Sequence, residues 1–218
     1  MASSLVSTLT PLQVETLHAF FEREAAFFLT GGAALAGFYL AHRATDDLDL
    51  FTVDDEAFRR GRSILADVAT AVGGTVEIRQ DTPRFVRSVI TRNDTAVIVD
   101  LVRDQIAQVH PIKPVIDGIR VDPPDEILVN KLAAMVGRAE ERDLVDVMCL
   151  EKSGLRVEDA LPAALMKDGG CTPATLAWLL SEIVIPDGIV LPAATSAAEL
   201  REYVASLIVR LRRAALPG

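Results

Sequence analysis

Cysteine, histidine and aromatic residues are scarce in this chain of 218 residues. Its two cysteines, Cys149 and Cys171, are too few for a small secreted fold held by disulfides, and they favour a reducing, cytoplasmic setting. The three histidines lie far apart, and none has a cysteine or a second histidine at the spacing of zinc ligands. These absences exclude a disulfide scaffold and argue against a zinc centre.

The chain has fewer basic than acidic residues, and it has no long apolar run. The chain has 22 basic and 31 acidic residues, and this net charge of −9 argues against binding nucleic acid or membrane through net charge alone. The longest uncharged stretch, residues 25–41, has 17 residues, at the lower limit for a membrane span, and contains Gly31 and Gly32. The N-terminus lacks a basic segment followed by an apolar run, so it does not resemble a signal peptide. We therefore expect no membrane association.

The predicted elements change in kind at Pro123 and Pro124. Strands and helices alternate before this point, and nearly everything after it is helical. The strands are predicted at 27–29, 47–53, 75–79, 85–91 and 96–102, and the later helices at 126–138, 142–152, 173–183 and 197–213. We predict an α/β (α+β) fold, with a mixed sheet flanked by helices in residues 1–122 and a helical C-terminal domain in residues 123–218.

Two acidic residues, Asp47 and Asp49, lie two positions apart in a segment that alternates polar and apolar residues. Such alternation is typical of a strand, in which both carboxylates point to the same face. Carboxylates so close repel each other unless a cation lies between them, and Mg²⁺ suits this role because it prefers oxygen ligands. A single Asp-x-Asp pattern is also typical of a solvated strand end, so it does not decide the function alone.

A third carboxylate, Asp100, lies within the apolar run from Ala96 to Val102. This run is apolar on both faces, which is typical of a central strand, and a buried carboxylate there is costly unless it binds a metal or a cationic side chain. If this strand neighbours the strand of Asp47 and Asp49, the three carboxylates converge on one metal site. The alternative is an edge strand on which Asp100 meets water or an arginine.

Gly31 and Gly32 separate a predicted buried strand from a predicted helix over residues 33–42. Two glycines allow a tight turn and a close backbone approach, and the N–H groups at the start of a helix suit a phosphate. An ordinary strand–helix turn would have the same pattern. The spacing matches neither the P-loop nor the dinucleotide-binding fingerprint.

Four motifs in order along residues 25–150 resemble the nucleotidyltransferase superfamily, and among its families they resemble the AbiEii/AbiGii toxin-type enzymes most. The segment FLTGGAALAGFYLAHRATDDLDLF is similar to the family's strand, glycine turn, helix and Asp-x-Asp strand. VDLV resembles its third carboxylate strand, NKLAAMVGR its lysine helix, and RDLVDV its R-D-x-x-D motif. The resemblance implies a nucleotidyltransferase-type sheet that transfers a nucleoside monophosphate from a nucleoside triphosphate and releases pyrophosphate.

The resemblance also implies roles for individual residues. Asp47, Asp49 and Asp100 would bind Mg²⁺ or Mn²⁺, and Asp100 would alternatively act as the base on the acceptor. The implied nucleotide contacts are Gly31, Gly32, Arg43, Thr45, Lys131 and Arg138. One of Asp143 and Asp146 would orient Lys131 or the acceptor, although a plain ion pair between helices is equally compatible with the spacing. On a helix over 126–138, Lys131 and Arg138 would share one face.

The resemblance implies RNA as the acceptor, with the 3′ end of tRNA as the candidate, and a toxin that is paired with an antitoxin. Two basic clusters give this modest support, although solvated surface is the simpler interpretation of both. They contain Arg79, Arg84, Arg87 and Arg92 in one, and Arg201, Arg210, Arg212 and Arg213 in the other. The alternatives are an adenylyltransferase for an aminoglycoside-like small molecule or a protein hydroxyl, and a nucleotide-binding module without turnover.

Overall fold

The computed structural model describes residues 8–138 and 140–216, and the chain separates into two compact units. The first unit runs to residue 106 and includes residues 110–123, and the second contains residues 107–109 and the chain from residue 124 onward. The predicted domain division between residues 122 and 123 lies close to this change of unit. That each part folds as an independent domain stays a prediction.

The first unit is a mixed sheet with helices, as the sequence predicts. The strands are β1 (Phe28–Thr30), β2 (Asp47–Thr52), β3 (Thr75–Asp81), β4 (Phe85–Arg92), β5 (Thr95–Arg103), β6 (Val115–Ile116) and β7 (Ile119–Arg120). The helices are α1 (Pro11–Phe21), α2 (Gly31–Ala34) and α3 (Asp55–Ala71). α1 begins with a reciprocal cap, because the side chains of Thr10 and Gln13 each accept a hydrogen bond from the other's backbone N–H.

The five-stranded sheet has the order β1-β2-β5-β4-β3, so β5 is its central strand. β2 and β5 are parallel, and the other neighbours are antiparallel. Leu48, Leu50 and Val99 belong to the fully buried face, and both α1 and α3 contact this sheet. Because side chains alternate along a strand, the residues between these leucines point to the opposite face.

The helix after the glycine pair is shorter than predicted. The sequence predicts a helix to residue 42, but α2 continues only as a π-helical turn over Leu35–Tyr39, and residues 40–46 are irregular. The side chain of Thr8 donates to the carbonyl of Arg43 at 2.6 Å, and Gln13 Nε2 donates to the carbonyl of Thr45 at 2.7 Å. These bonds, rather than helical propensity, fix the irregular segment.

A buried ion pair, which sequence analysis did not identify, anchors the end of the first unit beside β1. Lys113 Nζ lies 2.8 Å from Asp122 Oδ1, and neither side chain is more than 2% exposed. The ammonium group also lies 4.7 Å from the centre of the Phe28 ring. The Asp122 backbone N–H donates to the carbonyl of Leu29, so this segment extends the edge of the sheet.

The second unit consists of α4 (Pro124–Ala134), α5 (Glu141–Lys152), α6 (Val157–Lys167), α7 (Pro173–Ser181) and α8 (Ala197–Ala214). α4 contacts α5 and α6, and α8 contacts α5 and α7. α6, which contains Pro162, is not among the helices that the sequence predicted. Its buried residues Val157, Ala160, Leu161 and Ala164 have helical spacing, and this apolar stripe outweighs the hydrogen bond that Pro162 cannot make.

None of the described helices combines the length and apolar character that a membrane span requires. Residues 25–41 contain a strand, a short helix and a π-helical turn. Cys149 and Cys171 are free thiols. The cytoplasmic setting stays a prediction.

Candidate active site

The three predicted carboxylates meet near the centre of the five-stranded sheet. Asp49 on β2 lies directly opposite Asp100 on β5, and Asp47 lies two residues before Asp49 on the same face. One oxygen of each carboxylate lies within 4.8 Å of the other two. Asp100 is almost fully buried, while Asp47 and Asp49 are partly exposed. β5 is therefore central, as predicted, and it is adjacent to β2, which meets the condition for the three acids to form one cluster.

An arginine completes this row of residues across the sheet. Arg87 on β4 lies opposite Asp100, donates from Nε to Oδ1 at 2.9 Å, and donates from Nη2 to Oδ2 at 2.6 Å. The hydrogen bond to Asp100 raises the pKa of Arg87, and attraction to Asp47 and Asp49 adds to the rise. We call Asp47, Asp49, Asp100 and Arg87 the sheet cluster.

The predicted nucleotide contact Thr45 lies beside the sheet cluster. Its hydroxyl oxygen, Oγ1, lies 3.0 Å from Asp47 Oδ1, to which it donates a hydrogen bond. The backbone of Thr45 is itself held by Gln13 of α1. Thr45 therefore contacts Asp47 directly and is placed to orient its carboxylate.

The glycine pair lies against the same cluster. Gly31 has a φ of +65°, a conformation that favours glycine, and a Cβ there would collide with the carboxylate of Asp49. A Cβ on Gly32 would collide with the guanidinium of Arg43. The pair is therefore needed for close approach as well as for the turn, and Gly31, Gly32, Arg43 and Asp49 form one continuous surface.

The donor set of the sheet cluster suits a hard divalent cation. All three acids offer oxygen atoms, which Mg²⁺ and Mn²⁺ prefer. Their three negative charges exceed the single positive charge of Arg87. Asp47, Asp49 and Asp100 therefore fit a divalent ion by both chemistry and charge.

Only part of the acidic stretch from Asp46 to Glu56 belongs to this cluster. The Asp54 side chain accepts hydrogen bonds from the backbone N–H groups of Glu56 and Ala57 and so caps α3. These bonds, the one from Ala57 first, lower the pKa of Asp54. Asp55 lies 2.6 Å from Arg103, and Glu56 pairs with Arg59. These three acids are accounted for by the fold.

A second charged group, which we call the helical cluster, consists of Lys131, Asp143 and Asp146. Lys131 Nζ lies 2.7 Å from an oxygen of each carboxylate, and all three side chains are buried. Burial alone would lower the pKa of Lys131, but attraction to Asp146 and then Asp143 outweighs it, so the net shift is upward. Asp143 and Asp146 thus share a face one turn apart and converge on the lysine, as their spacing predicts.

Arg138 does not continue the face of Lys131. α4 ends at Ala134, and turn residues follow, whereas the sequence predicted a helix to residue 138. Arg138 is exposed, and its Nη1 lies 3.4 Å from Glu140. The predicted shared face was therefore wrong for Arg138, because the helix stops before reaching it.

The family model for the nucleotidyltransferase AbiEii toxin of type IV toxin–antitoxin systems matches residues 17–209. The chain belongs to this family. The match covers both the sheet cluster and the helical cluster, so the predicted family and its nucleotidyltransferase class are confirmed. No curated protein matches the chain.

Two solved structures show that this AbiEii family member shares its fold with other proteins. JHP933 from Helicobacter pylori is 17% identical, with a TM-score of 0.60 over 94% of this chain and 90% of that one. MenT4, a nucleotidyltransferase toxin from Mycobacterium tuberculosis, is 15% identical, with a TM-score of 0.56 over 93% and 85%. At such identities the likeness shows the fold alone.

The two basic clusters of this AbiEii family member are largely balanced by acids. Ion pairs join Arg79 to Glu77, Arg87 to Asp100, Arg92 to Glu15, Arg201 to Asp187, and Arg210 to Glu151 and Glu158. Since each of these arginines faces a carboxylate, the clusters are less positive than the sequence count suggests. Proximity along the chain gave no information about these partners.

Sequence analysis of the AbiEii family member missed three residues that shape the site. Arg87 was assigned to a basic cluster. Its position on β4, the strand that pairs with the strand of Asp100, could have indicated the contact. Thr8 and Gln13 anchor the segment of Arg43 and Thr45 from 32 or more positions away along the chain. No local pattern identifies such distant partners.

Proposed function

We propose that the protein transfers a nucleoside monophosphate from a nucleoside triphosphate to an RNA acceptor, with the 3′ end of tRNA as the first candidate. The observation that carries this proposal is the convergence of Asp47, Asp49 and Asp100 beside the glycine pair. Membership of the AbiEii toxin family supports transfer as the reaction, and it supports an antitoxin as a partner.

Asp47, Asp49 and Asp100 would hold Mg²⁺ or Mn²⁺. When bound, such an ion offsets the charge of the phosphates and lowers the cost of charge that develops in the reaction. Thr45 holds Asp47 through its hydroxyl, and Gly31 leaves room for the carboxylate of Asp49. Both residues thus preorganise the acidic ligands rather than react themselves.

Arg43 and the backbone around Gly31 and Gly32 would bind phosphate oxygens. The guanidinium of Arg43 lies against Gly32, so a cationic group stands directly at the turn. Arginine suits phosphate because its planar fork can donate two parallel hydrogen bonds. In the reaction an acceptor hydroxyl gives up its proton to water and its oxygen bonds to the α-phosphorus, while the bond from that phosphorus to the pyrophosphate oxygen breaks and pyrophosphate leaves.

Asp100 serves better as a metal ligand than as the base on the acceptor. Asp100 is almost fully buried, and one of its oxygens lies within 4.8 Å of oxygens of Asp47 and Asp49. A general base needs an oxygen within reach of the acceptor proton. We therefore assign Asp100 to metal binding within this proposal.

The main contacts of Lys131 are within the helical cluster, where it neutralises Asp143 and Asp146. Its contact with a phosphate stays a prediction from the family resemblance, as does that of Arg138. Asp146 is fully buried and Asp143 nearly so, and Asp143 Oδ2 accepts no hydrogen bond from the described residues. This unsatisfied oxygen marks Asp143, rather than Asp146, as the member to test for a role with the acceptor.

The balanced basic clusters favour one alternative, a small-molecule acceptor. A long RNA needs several unpaired cations along its backbone, whereas five of the arginines proposed for that purpose are paired with acids. An aminoglycoside-like molecule is itself cationic and would suit an acidic site. A protein hydroxyl remains the other candidate acceptor of this enzyme class.

The deciding experiment incubates the protein with each labelled nucleoside triphosphate, Mg²⁺ and total RNA, and then sequences the RNA 3′ ends. The proposal predicts added nucleotides on a defined set of ends and no addition by the Asp47→Asn/Asp49→Asn variant. Transfer to an aminoglycoside or to protein, with none to RNA, would replace the RNA proposal with that alternative. Triphosphate binding without any product would favour the module without turnover.

A further inference from the structure

Arg87 occupies the place in the sheet cluster where a bound cation would contact Asp100. Its Nε and Nη2 donate to the two oxygens of Asp100 at 2.9 and 2.6 Å, so each oxygen has already used one lone pair. The hydrogen bonds follow the strand register, because Arg87 on β4 and Asp100 on β5 are direct partners. This contact is therefore a built part of the sheet and not a chance meeting of surface side chains.

The guanidinium is held but not enclosed. It lies 5.7 Å from the centre of the Phe85 ring, which supports it from the neighbouring position on β4. The Arg87 side chain is 45% exposed, whereas that of Asp100 is 4% exposed. Arg87 can consequently move away into solvent, while Asp100 stays fixed in the central strand.

The net charge of the sheet cluster determines what happens when Arg87 leaves Asp100. Three carboxylates and one guanidinium leave the sheet cluster with two excess negative charges. A guanidinium at Asp100 repels any divalent ion that approaches the same oxygens, at distances where such repulsion is not screened. A triphosphate that arrives beside the cluster offers Arg87 a second, more highly charged set of oxygens.

We propose that Arg87 is an interim counter-cation of the sheet cluster. In the absence of nucleotide it holds Asp100 and competes with a divalent ion, and on nucleotide binding it turns to a phosphate oxygen. The inference rests on the proposed function, since it requires that the cluster bind an ion and a triphosphate. It assigns Arg87, which the family motifs quoted above do not contain, to positioning Asp100 and then to substrate binding.

The first arm of the test measures Mn²⁺ binding without nucleotide, by electron paramagnetic resonance or calorimetry. Arg87→Gln removes the competing charge, so its Kd for Mn²⁺ should fall about tenfold. Arg87→Lys keeps the charge but loses the two-pronged contact with Asp100, so its Kd should fall by a smaller factor. Arg59→Gln is the matched control, because Arg59 is an exposed arginine of α3 that pairs with Glu56 and lies outside the cluster. Its Kd should equal that of the unchanged protein.

The second arm measures binding of inorganic tripolyphosphate at a Mn²⁺ concentration that saturates every variant. This probe has no base, so an unknown base preference does not affect the result. Loss of a charged hydrogen bond should raise the Kd of Arg87→Gln about tenfold, with Arg59→Gln unchanged. Opposite shifts for the two ligands are the signature of the proposal, because a purely structural role would weaken both.

Unchanged or weaker Mn²⁺ binding by Arg87→Gln, with normal binding by the original protein, would overturn the role of Arg87 alone. Unchanged tripolyphosphate binding would overturn its transfer to phosphate. Failure of the original protein to bind Mn²⁺ would overturn the proposed metal site as well as this inference. If Arg87→Gln does not fold, stronger Mn²⁺ binding by Arg87→Lys, whose ammonium lacks the two-pronged contact, supports the competition, and unchanged binding overturns it.

Discussion

The sheet cluster and the helical cluster contain the same kinds of residue but differ in charge balance and exposure. The sheet cluster has three acids and one base, and Asp47 and Asp49 are partly exposed. The helical cluster has two acids and one base, all buried. Excess charge that faces solvent can be offset by an ion or substrate, whereas sealed charge can be offset only by its neighbours. This difference favours chemistry at the sheet cluster and, for the helical cluster, a contribution to fold stability beside the proposed role of Asp143.

The largest expected effect is that of Lys131→Met, which tests the structural role of the helical cluster. It leaves Asp143 and Asp146 buried without their cation, so we expect a loss of about 3–5 kcal/mol in the free energy of unfolding. Chemical denaturation of the two proteins checks this. The control is Lys152→Met, because Lys152 is an exposed lysine that pairs with Glu199 across helices of the same unit. A loss for Lys131→Met no larger than for Lys152→Met would contradict the structural role.

Asp49→Asn tests the other side of the comparison. It removes one ligand charge from the sheet cluster but keeps the shape of the side chain, so transfer of labelled nucleotide should fall about a hundred- to a thousandfold. The free energy of unfolding should change little, because Asp49 is partly exposed and its substitution relieves repulsion from Asp47 and Asp100. Asp55→Asn is the control, since Asp55 pairs with Arg103 at the start of α3. Normal nucleotide transfer by Asp49→Asn would contradict the assignment of Asp49 as a metal ligand.

Gly31→Ala sharpens the link between the turn and the acids. Alanine at positive φ costs about 1–2 kcal/mol, and its Cβ would also displace the carboxylate of Asp49. Gly118→Ala is a matched control, because Gly118 has a φ of +77° and nothing within 4 Å of the added Cβ. Both variants should lose similar stability, but only Gly31→Ala should lose nucleotide transfer. Equal activity of the two variants would show that the collision has no effect on the site.

The smallest expected effect concerns pH and an ion pair of the second unit. Burial would raise the pKa of Glu151, but hydrogen bonds from Arg210, the Val157 backbone and Tyr203 outweigh it and lower that pKa below 4.5. This carboxylate therefore stabilises the fold above pH 4.5, and the contribution is lost as pH falls through the lowered pKa. Glu151→Gln should cost about 1 kcal/mol near neutral pH and less in acid, as urea midpoints across pH would show. A cost that is independent of pH would contradict the assignment.

Much of the fold was predictable because strand alternation and helix stripes are local patterns. The strands of Asp47, Asp49 and Asp100 followed from the sequence, whereas their adjacency was only a condition, which the structure meets as it brings the three carboxylates together. The contact of Asp100 with Arg87 was foreseen only as an alternative, and only for an edge strand. In the structure Asp100 lies on a central strand and also has an arginine partner. The two are compatible because Arg87 lies opposite Asp100 on the neighbouring strand β4.

The errors arose where distant contacts outweigh local preference. The helix after Gly32 ends at residue 39 because the segment that follows is bound by Thr8 and Gln13. Pro162 lies inside α6 because the apolar stripe of that helix packs on α4. Neither effect has a signature within a window of a few residues.

The most direct test of the central claim is a Mn²⁺ titration of the original protein, Asp49→Asn and Lys131→Met, under conditions in which all three are folded. The account predicts one or two bound ions for the original protein and for Lys131→Met, and at least about tenfold weaker binding for Asp49→Asn. Equal Mn²⁺ affinity of Asp49→Asn and the original protein would contradict it. So would loss of binding in Lys131→Met alone, because the ion would then depend on the helical cluster instead of the sheet cluster.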